Sequence, residues 1–222
     1  MGPSLLDLPL YSLADVDRLL QLPPGTARRW LEGYSRDGVY PGPVLRHAPT
    51  DGERVTWGEM VEARLLTELR APGVWLESLG PVLVRLREEF GRYPLARAAP
   101  FQDVAGREFV HAVQHEVDLE PGLRLVAVES GHLVLTEPVR RFQSAVEYKK
   151  GKARRLTPVE RTPSVRLDPR RFDGRPSIHQ VPVKELLGGL DAGLSRDALA
   201  EIFSITPRQV GEAVRFELII SS

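Results

Sequence analysis

The stretch that decides the fold is Tyr11–Tyr34, YSLADVDRLLQLPPGTARRWLEGY. Leu13, Val16, Leu19 and Leu20 recur at helical spacing, which predicts a short helix with that face turned inward. Ser12 stands where a helix cap is needed, and Asp15 follows three residues later in the positive first turn. The helix must stop before Leu22-Pro23-Pro24-Gly25, because proline has no amide hydrogen and its ring clashes with the preceding turn. A second helix then starts at Gly25 or Thr26. Ala27, Trp30 and Leu31 belong to its inner face, and Thr26, Arg28 and Arg29 are expected to face outward at its N-terminal end. Two helices so joined, with cations at the start of the second, are how a helix-turn-helix enters the major groove. A plain helical hairpin with surface arginines satisfies the same pattern.

Downstream, Ser35 to Gly42 reads as a loop. Val44-Leu45-Arg46-His47 and Arg54-Val55-Thr56-Trp57 read as two short strands joined by Thr50-Asp51-Gly52-Glu53, which carries the Asp-Gly hairpin signal. A basic hairpin after two such helices is a wing, with Arg46, His47 and Arg54 placed to reach phosphates or the minor groove; a solvated turn is the alternative. Thr56 caps the next helix with Glu59 at the reciprocal position, and Met60, Ala63, Leu66 and Leu69 give it an apolar face. A further amphipathic helix runs from about Leu76 to Phe90.

The next segment is read less directly. Arg107 to Val117 alternates Phe109, His111, Val113, His115 and Val117 and reads as a strand, although a helix is also compatible. Leu123 to Leu135 suggests a hairpin, and Thr136 to Tyr148 a helix with Pro138 in its first turn. Lys149 to Lys152 is a basic turn, and Leu156 to Val159 could pair with Val165 to Leu167. From Arg140 to Arg175 there are twelve basic residues against four acidic ones. Such a patch tracks a phosphate backbone, docks an acidic partner or keeps a half-exposed sheet hydrated. The tail, Val183 to Ile220, reads as three helices, with Ser195 and Thr206 as caps for the second and third. Packing or dimerisation is the expected role of this unit, ahead of DNA contact.

Composition narrows the function classes. The 222 residues carry 30 basic and 30 acidic side chains, so any nucleic-acid affinity must come from local patches. Cysteine is absent, which excludes disulfides, thiolate metal sites and cysteine nucleophiles. No basic, apolar leader opens the chain and no apolar run approaches a membrane span, so a cytoplasmic protein without membrane contact is expected. His111 and His115, four apart with Glu116 adjacent, would suit zinc on a helix, but no third ligand is evident and no metal or other cofactor is expected. Asp168 and Asp173 sit in turn-forming pairs, Gly188-Gly189 lacks a phosphate-loop context, and no serine lies in a nucleophile elbow. An enzyme is therefore not expected.

Two stretches resemble known families. Residues 11–96 resemble the DNA-binding domain of MerR-type regulators, through YSLADVDRLL, TARRWLEGY and VTWGEMVEARLLTELRAPGVWLESLGPVLVRLREEFGRYPLA. Residues 165–216 resemble a small domain of unknown function found in bacterial antitoxins, through VRLDPRRFDGRPSI and VPVKELLGGLDAGLSRDALAEIFSITPRQVGEAVRFEL. In this order they resemble a VapB-type antitoxin of the kind paired with a PIN-domain ribonuclease toxin. The resemblance implies repression of the chain's own operon through double-stranded promoter DNA, and neutralisation of the toxin. It places DNA recognition on Thr26, Arg28 and Arg29, supported by Arg36, Tyr40, Arg46 and Arg54. The toxin's active site is expected to be acidic, which makes Arg154, Arg155, Arg170 and Arg171 candidates to cover it. A homodimer on a palindromic site is implied. The metal-sensing apparatus of MerR proteins is missing, since there is no cysteine and no long coiled coil after Phe90.

The expected fold is therefore mainly helical α+β. An N-terminal winged helix-turn-helix spans 1–98, a small mixed α/β middle region 99–163, and a tri-helical, helix-turn-helix-like domain 164–222. Two other readings stand beside the antitoxin: a MerR-like transcriptional regulator that is not an antitoxin, and a protein-interaction adaptor without DNA binding.

Overall fold

A computed structural model describes residues 4–34, 42–50, 52, 54–70 and 75–221. The architecture is the expected mainly helical α+β, with small antiparallel two-stranded sheets set among ten helices of the described residues. Strand β1 (Pro9–Ser12) leads into α1 (Leu13–Leu19) through a reciprocal cap: the Ser12 hydroxyl accepts the Asp15 N–H, and the Asp15 carboxylate accepts the Ser12 N–H at 3.0 Å. Helix α2 (Thr26–Glu32) follows the proline turn. Strand β2 (Arg54–Thr56) precedes α3 (Trp57–Leu69), which opens on the expected Thr56–Glu59 box. A 3-10 turn at Leu76–Leu79 runs into α4 (Gly80–Phe90).

The hairpin expected over 44–57 is not formed as read. Strand β2 pairs instead with β1, Tyr11 opposite Val55 and Ser12 opposite Arg54. Residues 44–48 are bends, and the N–H groups of Val44 and Leu45 both donate to the Trp30 carbonyl, at 2.9 and 2.8 Å. Val44, Leu45 and Arg46 are all buried in succession, so the one-in, one-out alternation of a half-exposed strand is absent.

The second correction concerns residues 107–117. After the short α5 (Ala99–Gln102), helix α6 (Val104–Glu116) occupies this stretch. Its buried residues are Gly106, Val110, Val113 and Gln114, a helical stripe that the alternation of Phe109, His111 and His115 hid. Gly106 allows α6 to meet α5, since a β-carbon there would lie 1.9 Å from the Ala99 carbonyl oxygen.

Further on, the hairpin within 123–135 and the three C-terminal helices form as expected. The helix read over 136–148, however, stops at Ala145 and gives way to a strand, and the strand read over 156–159 ends at Leu156. Strands β3 (Val126–Glu129) and β4 (His132–Leu135) form a hairpin around Ser130 and Gly131, both with positive φ. Helix α7 (Glu137–Ala145) then leads into a second hairpin, β5 (Val146–Lys149) and β6 (Lys152–Leu156), turning at Lys150-Gly151. Leu156 and Leu167 meet in a single bridge. Strands β7 (Ser177–Ile178) and β8 (Val181–Pro182) precede α8 (Val183–Asp191), α9 (Arg196–Phe203) and α10 (Pro207–Ile220). Ser195 caps α9, and Thr206 caps α10 in a box with Gln209.

One buried apolar cluster runs through all of this, with Trp57, Phe101, Phe142 and Phe216 among its largest members. Polar contacts tie distant segments across it. The Trp57 indole N–H donates to the Ala153 carbonyl at 2.9 Å, and the Tyr11 hydroxyl to the Gly174 carbonyl at 2.9 Å. Arg141 on α7 pairs with Glu68 on α3 at 2.7 Å. No described helix is long and apolar enough to cross a membrane.

Candidate nucleic-acid interface

The α1–α2 pair is fixed by a residue whose role the sequence did not announce. Gly25, with φ of +82°, begins α2 without a side chain to cap it. Buried Asp17 of α1 does so instead: its two carboxylate oxygens accept the N–H groups of Gly25 and Ala27, both at 2.7 Å. A carboxylate held there satisfies N–H groups that the first turn leaves over and sits at the positive end of the helix. In a sequence, an aspartate eight and ten positions before its partners looks like any polar residue of α1.

From this frame Ala27, Trp30 and Leu31 turn inward, as expected, and Arg28 and Arg29 are exposed. Thr26 is not outward. It is buried, and its hydroxyl accepts from the Arg29 guanidinium at 3.1 Å, so it orients Arg29 and does not itself reach outward.

Arg46 is also a correction. Its guanidinium forks onto Glu59, with Nε to Oε1 at 2.8 Å and Nη2 to Oε2 at 3.2 Å. It also donates to Glu32, to the Thr50 hydroxyl at 2.6 Å and to the Arg54 carbonyl at 2.9 Å. Burial works against its charge, but the hydrogen bond to Glu59 and the charges of Glu59 and Glu32 outweigh it and hold its pKa above the ordinary arginine value. Arg46 therefore neutralises two buried carboxylates and has no face left for a phosphate. The sequence suggested a surface cation because both partners lie more than a dozen positions away.

Arg54 is exposed on β2. It lines a cleft of about 460 Å³ together with Arg18 and Arg175, where Asp15 and Asp173 are the acidic neighbours. Arg18 lines the adjoining cleft as well, beside Arg28, Asp17 and the end of α10 at Ile220. Arg18 thus lies between Arg28 on one side and Arg54 and Arg175 on the other. Arg18 is not among the DNA-contact candidates of the sequence, and Arg175 stands only at the end of its basic stretch, since its nearness to Arg54 depends on the β1–β2 pairing and on the Tyr11–Gly174 contact. Arg36 and Tyr40 lie outside the described residues.

The four candidates for toxin contact are scattered. Arg155 is committed to Asp168 at 3.0 Å and to Glu147 at 3.1 Å. Arg154, next to it on β6, is half-buried with an Nε that has no partner. Arg170 is exposed, and half-buried Arg171 donates to the His179 carbonyl at 3.1 Å. Arg155 and Arg171 share a cleft with Arg166 that Arg154 and Arg170 do not line. On α6, His111 and His115 do come together, Nε2 to Nε2 at 3.2 Å. Burial, His115 and Arg124 hold the His111 pKa low. Among the described residues no three His, Asp or Glu side chains are grouped to hold a metal ion.

The chain belongs to the family of the Mycobacterium tuberculosis (strain ATCC 25618 / H37Rv) "Uncharacterized protein Rv2308", to which it is 32% identical over 225 residues, covering 96% of this chain and 92% of the relative. A second relative from the same organism, named "Putative antitoxin VapB45", is 29% identical over 226 residues, covering 94% of this chain and 93% of the relative. The X-ray crystal structure of Rv2018 from Mycobacterium tuberculosis is similar over 94% of this chain and 99% of that one, with a TM-score of 0.76 and 27% identity. No protein-family model matches the chain.

Proposed function

We propose that the chain is an antitoxin that binds the promoter DNA of its own operon and neutralises a PIN-domain ribonuclease toxin. The observation that carries this reading is the near end-to-end match to the relative named for VapB45, which spans the α1–α2 unit and the C-terminal helices alike. The exposed arginines of α2 are the reading's point of contact with DNA. Arg29, steadied by Thr26, or Arg28 forks onto guanine O6 and N7 in the major groove. Arg18 and Arg54 contact phosphates and set the register. Two copies bind a palindromic site. Toxin neutralisation is positional too: the basic stretch from Lys149 to Arg175 covers an acidic active site, with exposed Arg170 the most accessible of its four candidates.

A gel shift on the duplex upstream of the coding sequence tests the DNA half. Arg28→Ala and Arg29→Ala together should weaken binding by about tenfold to a hundredfold or more. An unchanged shift would remove α2 as the reading element. Co-purification with the product of the adjacent gene, then with Arg170 and Arg171 both changed to alanine, tests the toxin half. Undiminished co-purification by that variant would move the toxin contact elsewhere.

A further inference from the structure

The C-terminal helices carry cationic surface that the α2 reading leaves unused. Helices α9 and α10 are joined by a three-residue turn, Ser204–Thr206, in which Ser204 takes the left-handed conformation (φ 53°, ψ 45°). A turn of that length is of the kind that joins the two helices of a helix-turn-helix. Helix α8 packs against both.

The outer face of α10 presents Arg208, Gly211, Arg215 and Leu218, all on one side of the helix by their spacing. Glu212 is the carboxylate beside that face. Glu212 is buried, accepts the Ser164 N–H at 2.8 Å and pairs with Arg208 at 3.5 Å. Over the face lies a cleft of about 420 Å³ lined by Arg161, Arg196, Arg208 and Arg215, with Glu212 as its acidic member. Arg161, Arg196 and Arg215 are exposed, and none of their three guanidinium groups makes a hydrogen bond or ion pair among the described residues. Many other arginines of the described residues are matched to a carboxylate, Arg18, Arg46, Arg64, Arg85, Arg141 and Arg155 among them. Three unmatched guanidinium groups around one cleft therefore leave a concentrated positive potential. Pro163 also lines the next cleft, where Arg166 and Arg171 flank the first turn of α10 at Gln209. Gly211 adds no side chain between the helix and whatever lies against it, and the nearest atom to a β-carbon there is Arg196 Nη1 at 3.8 Å.

We propose that α8–α10 form a second duplex-DNA surface, in which the outer face of α10 enters the major groove and Arg161, Arg196 and Arg215 hold phosphates on its flanks. The proposal rests on the DNA-binding reading above and extends it to a unit for which packing was the expected role. Arg196 opens α9, the helix that lies across the backbone in such motifs, and Arg208 opens α10, from whose start base edges are reached. Double-stranded DNA is favoured over an acidic protein because the cations are arranged about two helices joined by a short turn, and the neighbouring carboxylate, Glu212, is buried and already engaged by Arg208 and the Ser164 N–H.

The test uses the full chain with two duplexes of equal length, one from upstream of its coding sequence and one random. Arg161→Ala, Arg196→Ala and Arg215→Ala are combined, and a second variant carries lysine at the same three positions. All three positions are exposed, and both variants should match the parent in circular dichroism and urea midpoint. The alanine variant should lower the slope of log affinity against log salt by about 2 to 3 on both duplexes, at about 0.9 per phosphate released. It should also shorten the protected footprint on one flank, which Arg28→Ala/Arg29→Ala leaves protected, while the lysine variant keeps slope and footprint. If the parent binds duplex and the alanine variant keeps the same slope and footprint, the second surface is refuted and the α2 reading survives. Unchanged DNA binding with loss of the co-purifying partner would assign the cleft to protein docking and also refute it. A parent that binds neither duplex overturns both readings.

Discussion

Replacing Arg46 by methionine separates two incompatible roles for one residue. The structure gives Arg46 five polar contacts, all internal, to Glu59, Glu32, Thr50 and the Arg54 carbonyl. Methionine keeps much of the volume and removes the charge, leaving the Glu59 side chain, 3% exposed, without the guanidinium that forks onto it. Removing one partner of a buried ion pair costs about 3 to 5 kcal/mol, because the remaining charge has neither water nor counter-ion. With a urea dependence of about 2 to 3 kcal/mol/M, the unfolding midpoint should fall by about 1 to 2 M at unchanged slope. Restoring charge balance should reverse most of this. In Arg46→Met/Glu59→Gln the Glu59 charge is gone as well, and glutamine at 59 can still cap Thr56, so the double variant should lie within about 1 to 2 kcal/mol of the parent. Equilibrium urea denaturation with fluorescence from the three tryptophans reads both steps. A single variant whose midpoint stays within about 0.2 M of the parent, while its DNA salt slope drops by about 0.9, would refute this reasoning and return Arg46 to the phosphate backbone.

Three further outcomes follow from the same structure. Asp17→Ala strips the acceptor from two N–H groups of α2 and should cost about 2 to 4 kcal/mol; Asp17→Asn, which keeps one acceptor, should lose about half as much, and equal losses in a denaturant series would contradict the double-cap geometry. Burial pushes the Glu62 pKa up to about 8 despite Arg87, the Leu95 N–H and Arg97. The folded chain then holds a proton that the unfolded chain releases from about pH 4.5, so this contribution is complete below that pH and is lost as the pH rises through about 8. Relative to Glu62→Gln, the parent should lose roughly 2 to 3 kcal/mol between about pH 6 and about pH 9, and parallel stability curves would place Glu62 in water. Gly106→Ala forces α5 and α6 apart and should cost at least about 1 to 3 kcal/mol; a melting temperature equal to the parent's would show that the elbow yields freely.

Local features of this fold were legible before any coordinates. The boxes Ser12–Asp15 and Thr56–Glu59 and the Thr206 cap with Pro207 each involve residues within one turn, so spacing alone exposes them. The same holds for the exposure of Arg28 and Arg29, which follows from the burial of Ala27, Trp30 and Leu31. What misled was either ambiguous locally or decided at long range. Alternating Phe109, His111 and Val113 imitates a strand until tertiary packing against α4, α5 and the β3–β4 hairpin buries Gly106, Val110 and Val113. Arg54–Thr56 has the character of a strand, but its partner lies at the start of the chain. Arg46, Thr26 and Asp17 have polar side chains whose partners are set by tertiary packing, and no period or motif reveals which polar groups will meet.

Trp57 and Tyr11 carry a consequence for how the molecule comes into being. Their hydrogen bonds span 96 and 163 positions, so an early part of the chain waits for acceptors that are synthesised late. A nascent chain released before residue 153 would hold the indole N–H of Trp57 in an apolar setting with no carbonyl to meet it. Contacts that distant must also close a long loop before they return any stabilisation, which slows folding. These two donors therefore meet their acceptors only once residues 153 and 174 have been made, so the N-terminal elements cannot complete their buried polar contacts ahead of the later ones.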